Sequence, residues 1–340
     1  MRAVRFHAHG GPEVLRFEEA PEPTPAAGLV IVRVRACALN HLDLWQRRGL
    51  DKVTIPFPHI SGADVAGEVV DAPGGEFAGG TRVLLQPGLS CGRCAACLGG
   101  HDNMCARYDV LGYQSDGGYA EFVQVPAVNV VPIPDHVPFV AAAAFPLAFL
   151  TAWHMLVARA KIVTGETVLV LAGASGVGQA AIQLARLFGA TVIATAGSDA
   201  KRQRARDLGA SEVIDHYTSD IATEVRKLTG KRGVDVVVEH VGQATWAASI
   251  KSLARGGRLV TCGNTTGWDA AIDLRFLFSR QLSLLGSYMG TKAELLAAAP
   301  FFFDGRLRPL VDHVLPLANA ADAHRLLEAG NVSGKLVLTP

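Results

Sequence analysis

One stretch, Leu169 to Ala185 (LVLAGASGVGQAAIQLA), constrains the fold of this chain more than any other. A short apolar run reads as a buried strand, enters a turn with glycine at 173, 176 and 178, and continues into apolar residues at helical spacing. Strand, glycine turn and helix in that order form the context that a dinucleotide fingerprint requires. With no side chains in the way, the backbone amides of Ser175, Gly176, Val177 and Gly178 can approach a pyrophosphate, and Gly173 opens the turn. The helix N-terminus adds partial positive charge. An ordinary strand-to-helix turn is the bland alternative, and the later strand Thr191 to Thr195 (TVIAT) weighs against it.

From Glu166 onward the texture repeats this unit. TVLVLAG, GQAAIQLARLFG, TVIAT and AKRQRARDLG alternate strand with helix, and further strands follow at Val234 to Glu239, Arg258 to Cys262 and Leu282 to Leu285. Gly256, Gly257 and Gly263 supply turns. About six such strands complete a doubly wound parallel sheet of the Rossmann kind, so the fold class is α/β. Before residue 150 the pattern differs: short alternating runs such as VIVRVRA at Val30 to Ala36 are punctuated by PEPTP, DAPGGEFAGG and SDGG. That texture describes an antiparallel, barrel-like β unit. Residues 1–150 therefore form one expected domain, 151–288 the nucleotide-binding domain, and 289–340, ending GKLVLTP, a return to the first.

The end of the second Rossmann strand bears on cofactor choice. An NAD site places an acid there for the ribose hydroxyls, whereas this chain has Thr195-Ala196-Gly197-Ser198. Ser198, Lys201 and Arg202 could meet a 2′-phosphate, which favours NADP, although Lys201 and Arg202 could equally be a solvated helix face. Asp199 keeps NAD open.

Four of the six cysteines cluster. Cys91, Cys94, Cys97 and Cys105 stand as C-x2-C-x2-C-x7-C in a glycine-rich loop, within a lobe spanning 88–108, a spacing that lets four thiolates converge on one Zn²⁺. Four sulfur ligands leave no open position, so the expected zinc is structural. Reduced or disulfide-paired cysteines are the alternative reading. Lysine plus arginine number 32 against 31 acids, which gives no electrostatic reason to expect nucleic acid or an anionic membrane surface. No apolar run reaches the roughly 18 residues of a spanning helix, and the start lacks a signal-peptide stretch. A cytoplasmic protein acting on a small molecule is the expectation.

Together with ALNHLD at Ala38 to Asp43, SGADVAGEVV at Ser61 to Val70, GGYAEF at Gly117 to Phe122 and PLAFLTAW at Pro146 to Trp153, these motifs resemble the medium-chain dehydrogenase/reductase superfamily over nearly the whole chain. The resemblance implies a GroES-like catalytic domain, a Rossmann domain, a structural zinc lobe, and a homodimer or homotetramer. In the zinc alcohol dehydrogenases of that superfamily a cysteine, a histidine and a third ligand hold a catalytic zinc. The matching positions here are Asn40, Ala63 and Leu147, and Asp64 stands where those enzymes have a glutamate. This resembles the zinc-free site of quinone oxidoreductases and enone reductases.

Losing the metal changes which reaction is easy. Oxidising an alcohol means shedding its proton as hydride leaves, and zinc lowers that cost. Adding hydride to a quinone or a conjugated C=C delocalises charge into an oxyanion that a few hydrogen bonds can hold. Asn40 is the first candidate for the pocket, with a turn asparagine as the alternative. His41 and Asp43 could relay a proton or belong to a helix cap. Asp64 could accept a proton or fix a loop. Val241, Gly263 and Asn264, beyond the carboxyl ends of strands, should meet the nicotinamide. Two other functions stay in view: an alcohol dehydrogenase, and a dinucleotide-binding protein with little turnover.

Overall fold

The structure is a computed structural model that describes residues 1–50 and 53–340. The chain divides into two compact units, one made of Met1–Leu147 with Thr291–Pro340, the other of Ala148–Gly290.

In the second unit the strands Glu212–Ile214, Thr191–Thr195, Thr167–Val170, Val234–Glu239, Leu253–Thr261 and Ser283–Gly286 lie side by side in that order, all parallel. Numbered along the chain this is 3-2-1-4-5-6, the doubly wound order with a switch point between the first and fourth strands. Strands buried on both faces carry near-continuous apolar runs, as Val168–Val170 and Val236–Val238 do, and Leu169, Ile193, Val237 and Leu259 meet in one core. The helix Gly176–Leu187 packs its apolar stripe of Ala180, Ala181, Ile182, Leu184 and Ala185 inward. The fifth strand begins at Leu253, earlier than its apolar run at Arg258 suggests. Leu253 pairs with Val234 ahead of a register shift, and the glycines at 256 and 257 lie inside the strand.

The first unit is built on a seven-stranded sheet. Val311–Pro316, Lys335–Thr339, Leu29–Ala38, Asp64–Asp71, Arg82–Leu85 and Val130–Pro132 follow one another, and Phe122–Pro126 pairs the far part of Leu29–Ala38. All these pairings are antiparallel except that of the first two strands. Val32, Val65, Val83, Tyr119 and Leu336 share its core. The closing segment GKLVLTP thus sits in the first unit's sheet, hydrogen-bonded to its longest strand. Between the strands Gly88–Leu89 and Asp109–Val110, a two-stranded pair, lies the cysteine lobe. From 89 to 109 only Asn103 and Cys105 are buried, and Leu98 and Met104 point into solvent. Such a segment has no apolar core to hold it folded.

Candidate functional site

The strand register of the first unit sets three polar side chains abreast. Ala38 faces Asp64 on one side and Val337 on the other, so Asn40, two residues past Ala38, comes level with Lys335, two before Val337. Lys335 Nζ donates to Asn40 Oδ1 at 2.6 Å and to Asp64 Oδ2 at 2.8 Å, and Asn40 Nδ2 donates to the same Asp64 oxygen at 3.0 Å. The other Asp64 oxygen accepts the backbone N–H of Leu147 at 2.8 Å. Lys335 is 3% exposed and Asp64 0%. A buried ion pair persists only when its remaining donors and acceptors are met, and the Asn40 amide and Leu147 N–H meet them here. Asn40 and Asp64, expected at the site, are brought together. Lys335 is the member that motif reading missed, because a lysine opening an apolar strand at a chain end looks like a surface residue.

His41 and Asp43 do not form a relay. Asn40 ends in extended backbone as the N-cap of the helix His41–Arg48, and Asp43 Oδ2 accepts the Asn40 N–H at 2.7 Å, half of a capping box. That same oxygen accepts the Tyr119 hydroxyl at 3.2 Å, whereas His41 is exposed on the first helical turn. The helix-cap alternative is the one realised. Beyond Tyr119 the contacts continue to His324 Nε2 at 3.3 Å, from His324 Nδ1 to Arg47 at 3.2 Å, and from Arg47 to Glu328. Burial pushes the Asp43 carboxyl up to about 6. Burial, reinforced by the Arg47 charge, pushes the His324 imidazole down to about 3.

These two shifts have opposite consequences for stability. His324 resists a proton that the unfolded chain accepts below about 6.5, so its contribution is lost as pH falls through that value. Asp43 takes up a proton near 6 that the unfolded chain takes up only near 4, so its contribution grows as pH falls over the same range. Asp43→Asn removes the compensation. Urea unfolding should show the variant losing about 1 kcal/mol more than the parent between pH 7 and pH 5. Equal losses would contradict the assignment of these two groups.

In the second unit, Ala172 adopts φ 44°, uncommon for a residue with a Cβ, and leads into Gly173 at the carboxyl end of the first parallel strand. Ser175 is the N-cap of Gly176–Leu187, its Oγ accepting the Gly178 N–H at 3.0 Å, and the Ser175 N–H is spent on Ala172 O at 2.9 Å. The amides of Gly176 and Val177, in the first turn, have no intrahelical carbonyl to serve and remain for a pyrophosphate. The phosphate-facing set is thus narrower than four amides. A Cβ on Gly178 would lie 2.3 Å from Ala172 O and 2.9 Å from Gly173 Cα, both backbone atoms. Gly178→Ala should therefore weaken dinucleotide binding at least tenfold and lower the melting temperature. Unchanged binding by fluorescence titration would show that the turn has room to spare.

The second strand ends as expected, without an acid. Ser198 caps the helix Asp199–Asp207, accepting the Lys201 N–H at 3.3 Å. Arg202, one of the residues expected to meet a 2′-phosphate, is instead paired through its guanidinium with Asp215 at 2.6 Å and with Asp199. Two carboxylates neutralise it, leaving Ser198 and Lys201 as the expected residues facing a phosphate. His216 and Tyr217, which motif reading passed over, stand against Gly197. At the strand ends beyond the switch point, Val241 O accepts the Thr266 N–H at 2.9 Å and Asn264 O accepts the Gly267 N–H at 3.0 Å. Gly242, at φ 94°, brings those two loops to backbone contact, and Gly263 packs on His240. Glu239, fully buried, fixes the first loop by accepting the N–H groups of Val241 and Gly242 at 2.8 and 3.1 Å.

The cysteine lobe fits a metal. Cys91, Cys94, Cys97 and Cys105 are all within 4.8 Å of one another through sulfur, with Cys94–Cys97 at 3.5 Å and Cys91–Cys97 at 3.9 Å. Tetrahedral zinc with sulfur at about 2.3 Å sets its ligands about 3.8 Å apart. The N–H groups of Cys91 and Arg107 point at Cys105 Sγ, at 3.5 and 3.4 Å, and hydrogen bonds from Arg93 N–H and the Arg107 side chain bring the Cys91 thiol down to about 5. Thiolates are what zinc takes. Among the described residues this is the one group of three or more His, Cys, Asp or Glu side chains placed to hold a metal ion.

Comparison with known proteins agrees with this anatomy. The family described as alcohol dehydrogenase GroES-like domain matches residues 26–135, and that described as zinc-binding dehydrogenase matches 176–304. A quinone oxidoreductase of Pseudomonas aeruginosa is 34% identical, over 100% of this chain and 99% of its own length. An alcohol dehydrogenase of Geobacillus stearothermophilus is 33% identical, over 95% and 96% respectively. The crystal structure of an NAD-dependent alcohol dehydrogenase superposes with a TM-score of 0.97 at 48% identity, covering both chains fully. No helix among the described residues is long and apolar enough to cross a membrane. The chain belongs to the medium-chain dehydrogenase/reductase superfamily and is an NAD(P)-dependent oxidoreductase of that type.

Proposed function

We propose that this oxidoreductase is an NADP(H)-dependent reductase that passes hydride to a quinone, an enal, an enone or an enoyl thioester, with zinc confined to the four-cysteine lobe. The observation that carries this reading is the buried Lys335 ammonium, held on Asn40 Oδ1 and Asp64 Oδ2; Asn40 is one of the three positions matched above to catalytic-zinc ligands, and Asp64 adjoins a second, Ala63. A fixed ammonium occupies the neighbourhood with positive charge of its own, and Asp64 is already paired to it.

The bound nicotinamide supplies the hydride. The protein's part is the oxyanion: when hydride adds to the β-carbon of an enone, the C=C pair moves toward the carbonyl oxygen and leaves an enolate. Lys335 has a third N–H and Asn40 Nδ2 a second, and such donors, fixed in advance in a dry site, stabilise the developing charge by about 3–4 kcal/mol apiece. A proton from solvent then completes the saturated product. Ser198 and Lys201 hold the 2′-phosphate in this reading, and the amides of Gly176 and Val177 the pyrophosphate.

Oxidation of an alcohol is the second reading, favoured by the likeness to the solved alcohol dehydrogenase. One assay separates the two. With NADPH, at least one member of a quinone and enone panel should be reduced with kcat/KM tenfold or more above that for any primary or secondary alcohol with NADP. Lys201→Ala should raise KM for NADPH about tenfold and leave that for NADH within twofold. Faster alcohol oxidation, or turnover of neither class, would overturn the proposal.

A further inference from the structure

The second unit carries a groove of about 960 Å³ lined by Arg226, Lys231, Lys251, Phe276 and Arg280, continued by a smaller hollow of about 370 Å³ that adds Arg255. These residues come from the segments that lead into three parallel strands: the helix Ile221–Leu228 and the turn before Val234–Glu239, the end of the helix Gln243–Ser252 with the first residues of Leu253–Thr261, where Arg255 lies, and the helix Leu274–Ser279 with its cap Arg280 before Ser283–Gly286. They therefore lie at the amino ends of the strands. The glycine turn lies at the carboxyl ends, a strand length of about 20 Å away. The groove is not the dinucleotide site.

Its charge is unbalanced. Among the described residues, none of Arg226, Lys231, Lys251, Arg255 and Arg280 is in an ion pair, and Asp220 is the one acid in the lining. The chain as a whole carries a net charge of only +1, so these cations are a local concentration. Helix-end capping explains part of the arrangement: Arg226 donates to Lys231 O at 2.7 Å and Lys251 O at 3.0 Å, Arg255 to Ser279 O at 3.2 Å, and Arg280 to Leu253 O at 3.4 Å. Each guanidinium has five donors, so most stay unspent, while the carbonyl bonds hold the groups in place. Arg280 also lies over the Phe276 ring at 4.7 Å. Partial burial first, then the nearby Arg226 and Arg255 charges, lower the Arg280 pKa.

We infer that this groove binds a small ligand bearing two or more adjacent phosphate groups, at a site separate from the dinucleotide's. Fixed guanidinium forks match phosphate oxygens in geometry, a concave site of this volume holds a molecule of nucleotide size, and Phe276 offers an apolar wall.

The test is calorimetric titration of pyrophosphate, ATP and inorganic phosphate into enzyme saturated with NADPH, at constant ionic strength. Pyrophosphate should bind saturably, one per chain, at least tenfold more tightly than inorganic phosphate. ATP binding no tighter than pyrophosphate identifies a free polyphosphate as the ligand class; ATP binding tenfold tighter identifies a nucleotide. Arg226→Gln/Arg280→Gln should weaken pyrophosphate at least tenfold. So should Lys251→Gln/Arg255→Gln, which changes two exposed side chains, leaves the Arg226 bonds in place and keeps reductase turnover at the parent value. No saturable binding in the NADPH-loaded enzyme, or equal affinity in both variants and the parent, would overturn the inference.

Discussion

Replacing Lys335 with methionine is expected to destabilise the protein by about 3–5 kcal/mol and to lower turnover about 10²- to 10³-fold. The first effect follows from burial: Asp64, 0% exposed, would lose its cationic partner and have only the Asn40 amide and the Leu147 N–H left as partners. The second follows, on the proposed function, from losing the ammonium that holds Asn40 and is assigned there to the developing oxyanion. A double variant separates them. In Lys335→Met/Asp64→Asn the uncompensated charge is gone, so urea unfolding should return most of the lost stability, while turnover with saturating NADPH stays low. Recovery of turnover together with stability would reduce Lys335 to a structural role. Binding of NADPH should remain within about twofold in both variants, since none of the residues assigned to the dinucleotide is touched.

Stripping the metal from the cysteine lobe should have a large but local effect. Four thiolates binding zinc contribute on the order of 10 kcal/mol to the folding of a segment that has little else. Here residues 89 to 109 bury only Asn103 and Cys105, and Leu98 and Met104 are 76% and 71% exposed. After chelation, or in Cys94→Ser, hydrogen exchange across 90–108 should approach unprotected rates, with new proteolytic cuts there. The parallel sheet, whose core of Leu169, Ile193, Val237 and Leu259 lies in the other unit, should keep its protection and its affinity for the nicotinamide dinucleotide. A lobe that stays protected without metal would mean that its fold rests on contacts other than the thiolates.

Much of this is legible in the amino-acid sequence. The strand, glycine turn and helix around Gly173 to Gly178 can be read because a phosphate-cradling turn places strict demands on neighbouring residues, and the cysteines because a tetrahedral ligand set leaves a spacing. Periodicity locates five of the six parallel strands and misses the short edge strand Glu212–Ile214, while the strand from Leu253 begins before its apolar run, carried by pairing to Val234 that local pattern does not encode. The illegible parts depend on register between distant strands. Lys335 lies 295 residues from Asn40 along the chain, and only the pairing of Val337 with Ala38 makes them neighbours. Arg202 reads in the sequence as a phosphate ligand or a solvated helix residue because its partner Asp215 sits at the end of a different strand. For Asp43 the sequence leaves relay and helix cap open because both begin with the same residues, and the Asn40 N–H and the Tyr119 contact identify the cap.

The central claim is that this oxidoreductase keeps its metal for architecture and does its chemistry beside an ammonium. Elemental analysis of the purified, catalytically active protein tests it most directly. The account predicts one zinc per chain, lost in Cys94→Ser. Two zinc ions per chain, with the second retained in Cys94→Ser and lost in Asp64→Asn together with activity, would contradict it.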